Sequence, residues 1–305
     1  MRKVYIYPEH LTIMQRKLIQ LSPSTSVVSL PSPWIKQNGL KKGDSLSVEI
    51  NDNKIIVSAK TTHELNEVQI DISKYKGRLM WVAIDTAYTA GYDSILIKTR
   101  DAEQSSYMTK VVRNFPGMMI IDERKNYVHL KSIEDSSTEL DKILKRVFNL
   151  NLALLEDSIE SIKSKEWDDL SRVKYRDYVI NSYISYCLRS INKFGYKPFS
   201  KIGVIHSFLK IIEMLSDKLC SLFKAIAEEK GEYSKLKKLS RITDMLKQVR
   251  HIHFKYSDES IIKLEEERQE LIKSIKKMPL YTVSYLKDIE DMFFALIELE
   301  MQLHS

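Results

Sequence analysis

The spacing of apolar positions divides the chain into a strand-like amino-terminal part and a helical carboxy-terminal part. From residue 135 onward, apolar residues recur every three or four positions in six segments separated by short polar breaks. This period is typical of amphipathic helices, and short connections between long helices favour antiparallel packing. The predicted helices cover residues 140–162, 168–193, 203–229, 233–256, 259–277 and 283–303.

The first 62 residues instead alternate apolar and polar positions, and proline, glycine and asparagine turns interrupt the alternation. Trp34 and Ile35 begin a short helix between two hairpins, and Gly39 is suited to end that helix in the left-handed conformation. A strand-like segment at residues 4–7 ends at Pro8, and the pattern leaves its pairing partner open. The other predicted strands cover residues 16–21, 25–30, 46–50 and 54–58.

Residues 63–134 mix the two periods. Residues 79–84 fit either a strand or the start of a helix, and residues 105–115 have helical spacing. Strand patterns occupy residues 68–72, 93–98, 118–122 and 127–130. Strands mixed with one or two helices predict a small α+β domain. The sequence therefore predicts a multidomain α+β protein, with domains at residues 1–62, 63–134 and 135–305.

Composition adds the class of partner and the compartment. The 305 residues carry a net charge of +7, and residues 14–60 contribute seven basic and three acidic side chains, or +4 of that total. A basic segment of this kind favours an anionic partner. Cys187 and Cys220 lie far apart without a second cysteine or histidine nearby, which predicts buried thiols in a reducing compartment. The sequence has no apolar run of 18 residues, so we expect a soluble, cytoplasmic protein.

The segment at residues 26–50 resembles the SpoVT/AbrB type of DNA-binding domain. The residues that carry the resemblance are Ser29-Leu30-Pro31, Trp34, Gly39-Leu40 and Lys42-Gly43-Asp44. The resemblance implies a small β-barrel in which two chains interleave their hairpins, so that the domain exists only as a homodimer. A segment of about 45 residues buries little core by itself, which agrees with obligate pairing.

The same resemblance implies a contact with double-stranded DNA. Arg16 and Lys17 stand where the family has basic residues at the start of a barrel strand, and Lys36 stands where basic residues follow Leu-Pro. Lys41 and Lys42 extend this set toward the glycine turn. Paired across a two-fold axis, these side chains would contact phosphates and groove edges. The alternative is that they are ordinary surface lysines and arginines.

The six helices resemble PhoU, a family of six-helix proteins that is associated with control of phosphate uptake. They divide into two repeats of three helices, at residues 135–231 and 232–305. Together with the AbrB-like start and the middle segment at residues 90–97, this order of domains resembles the archaeal PhoU-like regulators. The resemblance implies a helical domain that senses a signal or binds a transporter or a signalling protein.

PhoU proteins bind metal ions through acidic pairs four residues apart on their helices. Glu213 and Asp217 keep this spacing, which places both carboxylates on one helix face, and Asp177 remains on the preceding helix beside Asn181. The resemblance implies that Glu213, Asp217 and Asp177 are ligands of a divalent or ferric ion. The alternative is that they form structural ion pairs and hydrogen bonds. In the second repeat the matching positions hold Lys287 and Asp291, and the charged pair Glu266 and Glu270 lies on the fifth helix.

No sequence motif of an enzyme is present, so we expect a protein without catalytic activity. The first hypothesis is a homodimeric DNA-binding transcriptional regulator with a PhoU-like helical domain, linked to phosphate uptake. The second is an adaptor that does not bind DNA, in which the barrel only dimerises and the helices dock on a transporter or kinase. Arg16, Lys17 and Lys36 are the residues that separate the two hypotheses.

Overall fold

The computed structural model divides the chain by its contacts into two compact units, Met1–Glu64 and Leu65–Ser305. We call the first unit the head. The predicted strand at residues 4–7 lies outside the described residues. In the part of the chain that the structure describes, no helix is long and apolar enough to cross a membrane. The described residues are 14–51, 54–59, 66–133, 140–229, 236–275 and 280–305.

The head contains two antiparallel hairpins with a short helix between them. In the first hairpin, the outermost pair of residues is Ile19 and Val27. The first strand therefore begins at Ile19, three residues after its predicted start at residue 16. Within the described residues of this chain the strands form two separate two-stranded sheets, and the interleaved barrel stays a prediction. The elements are β1 (Ile19–Ser22), β2 (Thr25–Val27), α1 (Ser32–Gln37), β3 (Leu46–Asn51) and β4 (Lys54–Ala59).

The next region forms a mixed sheet covered by two helices, as the sequence predicts. The strand order is β5-β6-β8-β7, with β5 parallel to β6 across a helical crossover and the other pairs antiparallel. Residues 79–84 belong to that crossover helix. The elements are β5 (Glu67–Asp71), α2 (Arg78–Thr89), β6 (Ser94–Lys98), α3 (Ala102–Val111), β7 (Met118–Arg124) and β8 (Tyr127–Ser132).

Helix α3 begins three residues before its predicted start because Asp101 caps it. The Asp101 carboxylate accepts a hydrogen bond from the Gln104 backbone N–H at 2.9 Å, which satisfies one of the free donors of the first turn. Ile95, Ile97 and Leu130 on the sheet are fully buried under α2 and α3. The middle region therefore has a core of its own.

The helical region has the six predicted segments, with one difference. The predicted helix at residues 168–193 is broken at Arg172 and Val173, and buried Leu170 and Val173 lie on either side of the turn. This break lets the short first piece pack against two neighbouring helices. The helices are α4 (Leu140–Ser164), α5 (Trp167–Ser171), α6 (Lys174–Phe194), α7 (Ile202–Glu229), α8 (Leu236–Phe254), α9 (Asp258–Ile275) and α10 (Leu280–His304).

Apart from the short α5, these helices fall by sequence order into two groups of three. Helices α4, α6 and α7 contact one another, as do α8, α9 and α10, and contacts of α4 with α8 and of α7 with α10 join the groups around one continuous apolar core. Cys187 and Cys220 are buried in this core as free thiols, so the prediction of buried thiols is confirmed. Burial raises the pKa of the Cys187 thiol to about 12, which keeps it protonated.

Candidate nucleic-acid interface and acidic cluster

Helix α1 holds Lys36 on a short, well-defined turn of the head. Pro31 precedes the helix with an extended backbone, and Pro33 lies in the first turn, where a missing N–H costs nothing. Gly39 ends the helix with φ +63°, and the N–H groups of Gly39 and Leu40 donate to the carbonyls of Lys36 and Ile35 at 3.2 and 3.1 Å. This pair of bonds closes the helix, and it confirms the predicted role of Gly39.

The turn that follows exposes Lys41 and Lys42. The Asp44 carboxylate accepts a hydrogen bond from the Lys41 N–H at 2.7 Å, and the Asp44 N–H donates to the Lys41 carbonyl at 3.1 Å. Gly43 takes φ +98° between them, a conformation that side chains with a Cβ rarely adopt. Asp44 therefore fixes the turn and leaves both lysine side chains in solvent.

Arg16 and Lys17 lie at the other hairpin of the head, just before β1, and both side chains are exposed. The structure thus puts the five predicted DNA-contacting residues into two groups. The first group, Arg16 and Lys17, precedes a strand, and the second group extends from α1 through the turn before β3. All five are free to meet a ligand from solvent.

The apolar side chains of the head are exposed to an unusual degree. None of the head side chains that the structure describes is buried. Leu21 keeps 68% of its surface exposed and Ile50 keeps 81%, although strand positions of this kind are normally covered. Uncovered apolar strand positions of this kind are suited to a contact with another protein chain.

The predicted metal-binding residues lie together between α6 and α7. Asp177 is 7% exposed, and the Asn181 side-chain amide donates to its Oδ2 at 3.2 Å. Its other oxygen, Oδ1, is buried and accepts no hydrogen bond from the residues that the structure describes. Burial and the negative charges of Asp217 and Glu213 raise the pKa of Asp177 to about 7. Near neutral pH this carboxyl group is therefore partly protonated.

A fourth carboxylate joins this group from the middle region. Asp85 on α2 accepts a hydrogen bond from the Ser185 hydroxyl at 2.7 Å. Burial raises the pKa of Asp85, the Ser185 hydrogen bond and the charge of Lys210 oppose the rise, and the charge of Glu213 adds to it. We call Asp85, Asp177, Glu213 and Asp217 the acidic cluster. Sequence reasoning missed Asp85, because it belongs to the predicted domain at residues 63–134, whereas the other three carboxylates belong to the predicted helical domain.

The arrangement of the acidic cluster bears on the expected metal ion. Carboxylate oxygens are suitable ligands for a hard cation. Glu213, however, is paired with the Lys210 ammonium at 2.7 Å. Among the residues described by the structure, no three His, Cys, Asp or Glu side chains are placed to hold a metal ion. The residues do not form a prepared metal site, and their role as ligands stays a prediction.

Helix α6 also joins the helical region to the middle region. Arg189 is 3% exposed, and its guanidinium donates to the carbonyls of Tyr88 and Tyr92 at 2.9 and 2.8 Å. The Asp93 carboxylate forms ion pairs with Arg189, at 3.5 Å, and with Lys193. These contacts are made by the Ala90-Gly91-Tyr92-Asp93 segment that sequence analysis singled out.

Gly91 lies at this contact and takes φ +93°, a conformation that residues with a Cβ rarely adopt. A Cβ here would lie 3.4 Å from the Lys193 Cβ, at van der Waals distance, so a larger residue would strain the turn rather than clash with α6. The sequence identified the segment as distinctive, and the structure shows that it is where α6 packs on the middle region.

The two histidines of the Arg250-His251-Ile252-His253 segment have different surroundings. His251 is exposed, whereas His253 is buried, lies against the Phe208 ring at 4.9 Å between centroids and hydrogen-bonds Glu300 at 2.9 Å. His251 is therefore a surface histidine and His253 a packing histidine. Glu300 is itself fully buried and contacts His304 as well at 3.4 Å.

The head is the part of the chain that matches a known family. Residues 19–64, which are 46 of the 305, match the model described as antidote-toxin recognition MazE, bacterial antitoxin. This model is AbrB/SpoVT-like, and the match supports the AbrB-type domain that the sequence predicts. Neither curated proteins nor solved structures give a significant match to the chain. The PhoU resemblance of the helices stays an expectation.

Proposed function

We propose that the chain is a cytoplasmic, homodimeric regulator that binds double-stranded DNA through its head. The observation that carries the proposal is the match of residues 19–64 to an AbrB/SpoVT-like family model. Two features of the structure add support: the exposed apolar side chains of the head, which a second chain would cover, and the exposed basic side chains beside them. The Leu65–Ser305 unit would then sense or transmit the signal.

The basic residues give the sharpest test. The Arg16→Ala/Lys17→Ala/Lys36→Ala variant loses three cations per chain, and six per dimer. Each phosphate contact contributes about 0.9 to the slope of log affinity against log salt concentration. We expect the slope for a mixed-sequence DNA duplex to fall by about 3 to 5, while sedimentation still gives a dimer. Fluorescence anisotropy at several salt concentrations measures the slope.

A matched control removes the same charge from the other unit. Lys110, Arg113 and Lys125 are exposed on the middle region, and Lys110→Ala/Arg113→Ala/Lys125→Ala should leave the salt slope unchanged. Equal DNA affinity of the wild type and the head variant would exclude DNA binding through these residues. That result would favour the adaptor hypothesis, in which the head only dimerises.

The description of the matched family supports a second candidate function. A chain with a MazE-like head could act as an antitoxin. Depletion of an antitoxin from cells would stop growth, and deletion of its toxin would restore it. Depletion of a regulator would change transcript levels without this dependence on a second gene.

The resemblance of the helices to PhoU suggests phosphate supply as the signal. The support is that the three long helices of each predicted repeat contact one another and that all six share one core. If the signal is phosphate, the set of genes bound by the protein should include genes of phosphate uptake. A genome-wide map of bound DNA that lacks such genes would separate the DNA-binding role from the phosphate link.

A further inference from the structure

Several exposed basic side chains of the second unit lie together around α8. A cleft of about 380 Å³ is lined by Lys145 from α4 and by residues of α8 and its carboxyl end. An adjoining cleft of about 310 Å³ shares Lys247 and His251 with the first and adds Lys263 from α9. Among the described residues, no Asp or Glu side chain lines either cleft. We call the two together the basic clefts.

The residues on α8 share one helix face. Lys247, Arg250, His251 and Phe254 follow one another at intervals of three, one and three residues, so they project toward the same side. Lys255 follows directly after the helix, and its N–H donates to the His251 carbonyl at 2.8 Å. The packing of α4 against α8 brings in Lys145 from about a hundred residues away.

Most of this charge is not balanced by the protein. Lys247 pairs with Glu156 at 2.8 Å. Lys145, Arg250, Lys255 and Lys263, by contrast, form no ion pair with any residue that the structure describes. Lys145 instead lies over the Phe254 ring, 4.9 Å from its centroid, which holds its ammonium group at the cleft. Four cations without an ion-pair partner among the described residues, around two adjoining clefts, attract and concentrate anions.

The size and charge of the clefts define the class of anion. Their volumes suit a small molecule, since ligand sites in proteins measure about 300 to 1,000 Å³. A phosphate monoester carries about −1.5 to −2 charges at neutral pH, so two or three phosphate groups balance four cations. We propose that the basic clefts bind a compact polyphosphate, free or as part of a nucleotide, through Lys145, Arg250, Lys255 and Lys263.

The test is calorimetric titration of the full-length protein in magnesium-free buffer near 150 mM salt. The probes are inorganic tripolyphosphate, ATP and orthophosphate. We expect saturable binding of tripolyphosphate at one site per chain, with weaker binding of orthophosphate. Equal affinity for ATP indicates that the phosphate chain is the whole ligand, and tighter binding of ATP indicates that the nucleoside is also bound. Either result supports the site.

Two charge-matched variants test whether tripolyphosphate binds at the basic clefts. Arg250→Gln/Lys255→Gln removes two lining cations and should weaken tripolyphosphate binding by about tenfold or more. Lys110→Gln/Arg113→Gln removes two exposed cations of the middle region and should change it by less than about twofold. Equal weakening by the two variants, or no saturable binding of tripolyphosphate and ATP, would overturn the proposal.

A DNA duplex provides the remaining comparison. If Arg250→Gln/Lys255→Gln weakens binding of a mixed-sequence duplex while tripolyphosphate does not bind, the clefts contact nucleic acid, and the proposal fails. This outcome is separate from the test of the head, because the head residues are intact in both variants. The test of polyphosphate binding is therefore independent of the test of DNA binding by Arg16, Lys17 and Lys36.

Discussion

One site in each three-helix group buries charged side chains, and the two sites differ in how that charge is neutralised. In the first group, Asp177 on α6 lies near Asp217 and Glu213 on α7, and one of its buried oxygens accepts no hydrogen bond from the described residues. In the second group, Arg268 on α9 forms an ion pair with Glu290 on α10, and both are buried. Arg268 also binds Glu265 at 2.6 Å.

This difference separates a titratable cluster from a permanent structural contact. A buried carboxylate beside other carboxylates becomes neutral by taking up a proton, whereas a buried carboxylate beside a guanidinium stays ionised. The charge of the acidic cluster therefore changes with pH, and that of the Arg268–Glu290 pair does not. The second group also buries His253 against Glu300, so the difference lies between these two sites rather than between the whole groups.

The largest expected effect comes from breaking the compensated pair. Arg268→Leu leaves Glu290 buried without its cation, and loss of one member of a buried ion pair costs about 3 to 5 kcal/mol. We expect the free energy of unfolding of the second unit to fall by this amount at pH 7. Urea denaturation followed by circular dichroism measures the change.

The double variant Arg268→Leu/Glu290→Leu serves as the control for this prediction. Replacing both members of a buried pair by apolar side chains is often nearly neutral. We expect it to recover most of the stability lost by the single variant. A single variant as stable as the wild type would mean that the pair contributes nothing, and the contrast between the two groups would disappear.

A smaller effect of opposite sign is expected at Asp177. The pKa of this carboxyl is raised to about 7 in the folded protein from an unfolded value near 3.8. The folded state therefore binds more protons between these values, and stability falls as the pH rises through this window. Asp177→Asn removes the charge and should raise stability by about 1 to 2 kcal/mol at pH 8, after allowance for solvent screening.

The pH dependence of this gain tests its cause. At pH 4 the Asp177 carboxyl is protonated in the folded state and close to half protonated in the unfolded state, so most of the gain from Asp177→Asn should be lost there. Denaturation of both proteins at pH 4 and pH 8, in buffer with a chelator, gives the comparison. An equal gain at both pH values would point to packing rather than to charge.

The smallest effect is expected at Glu213. Glu213→Gln removes one of the charges that raise the pKa of Asp177, so that pKa should fall. The variant also removes the partly exposed ion pair with Lys210, which contributes about 0 to 1 kcal/mol. We expect a change of stability within about 0.5 kcal/mol. A pH titration of carboxyl chemical shifts by NMR detects the shift at Asp177, and an unchanged pKa would exclude Glu213 from the acidic cluster.

Much of the fold could be predicted from local patterns. The helical period predicted all six long helices, and the alternation of residues 118–122 and 127–130 predicted the last hairpin. The break at Arg172 and Val173 was missed because Leu170 and Val173 keep the helical spacing of apolar residues across it. The spacing of apolar residues predicts which residues are buried. It cannot reveal a turn in the helix when the residues around that turn remain buried at helical spacing.

The candidate sites depend more on tertiary contacts. The spacing of Glu213 and Asp217 was visible in the sequence, but Lys287 and Asp291, the matching pair in the second group, are exposed. Glu266 and Glu270 are exposed as well. The buried pair there is Arg268 and Glu290, which no spacing rule selects. Asp85 and Lys145 could not be assigned either, because each reaches its cluster from an element distant in the sequence.

The contacts of Arg189 couple the position of helix α6 to that of the sheet in the middle region. Its guanidinium binds the carbonyls of Tyr88 and Tyr92, at the turn that leads from α2 into β6, and Asp93 in that turn binds Lys193 one helical turn further along α6. A tilt of α6 would therefore displace β6, which pairs with β5, the strand nearest to the head in sequence. Through this pairing, a change among the helices would reach the sheet of the middle region.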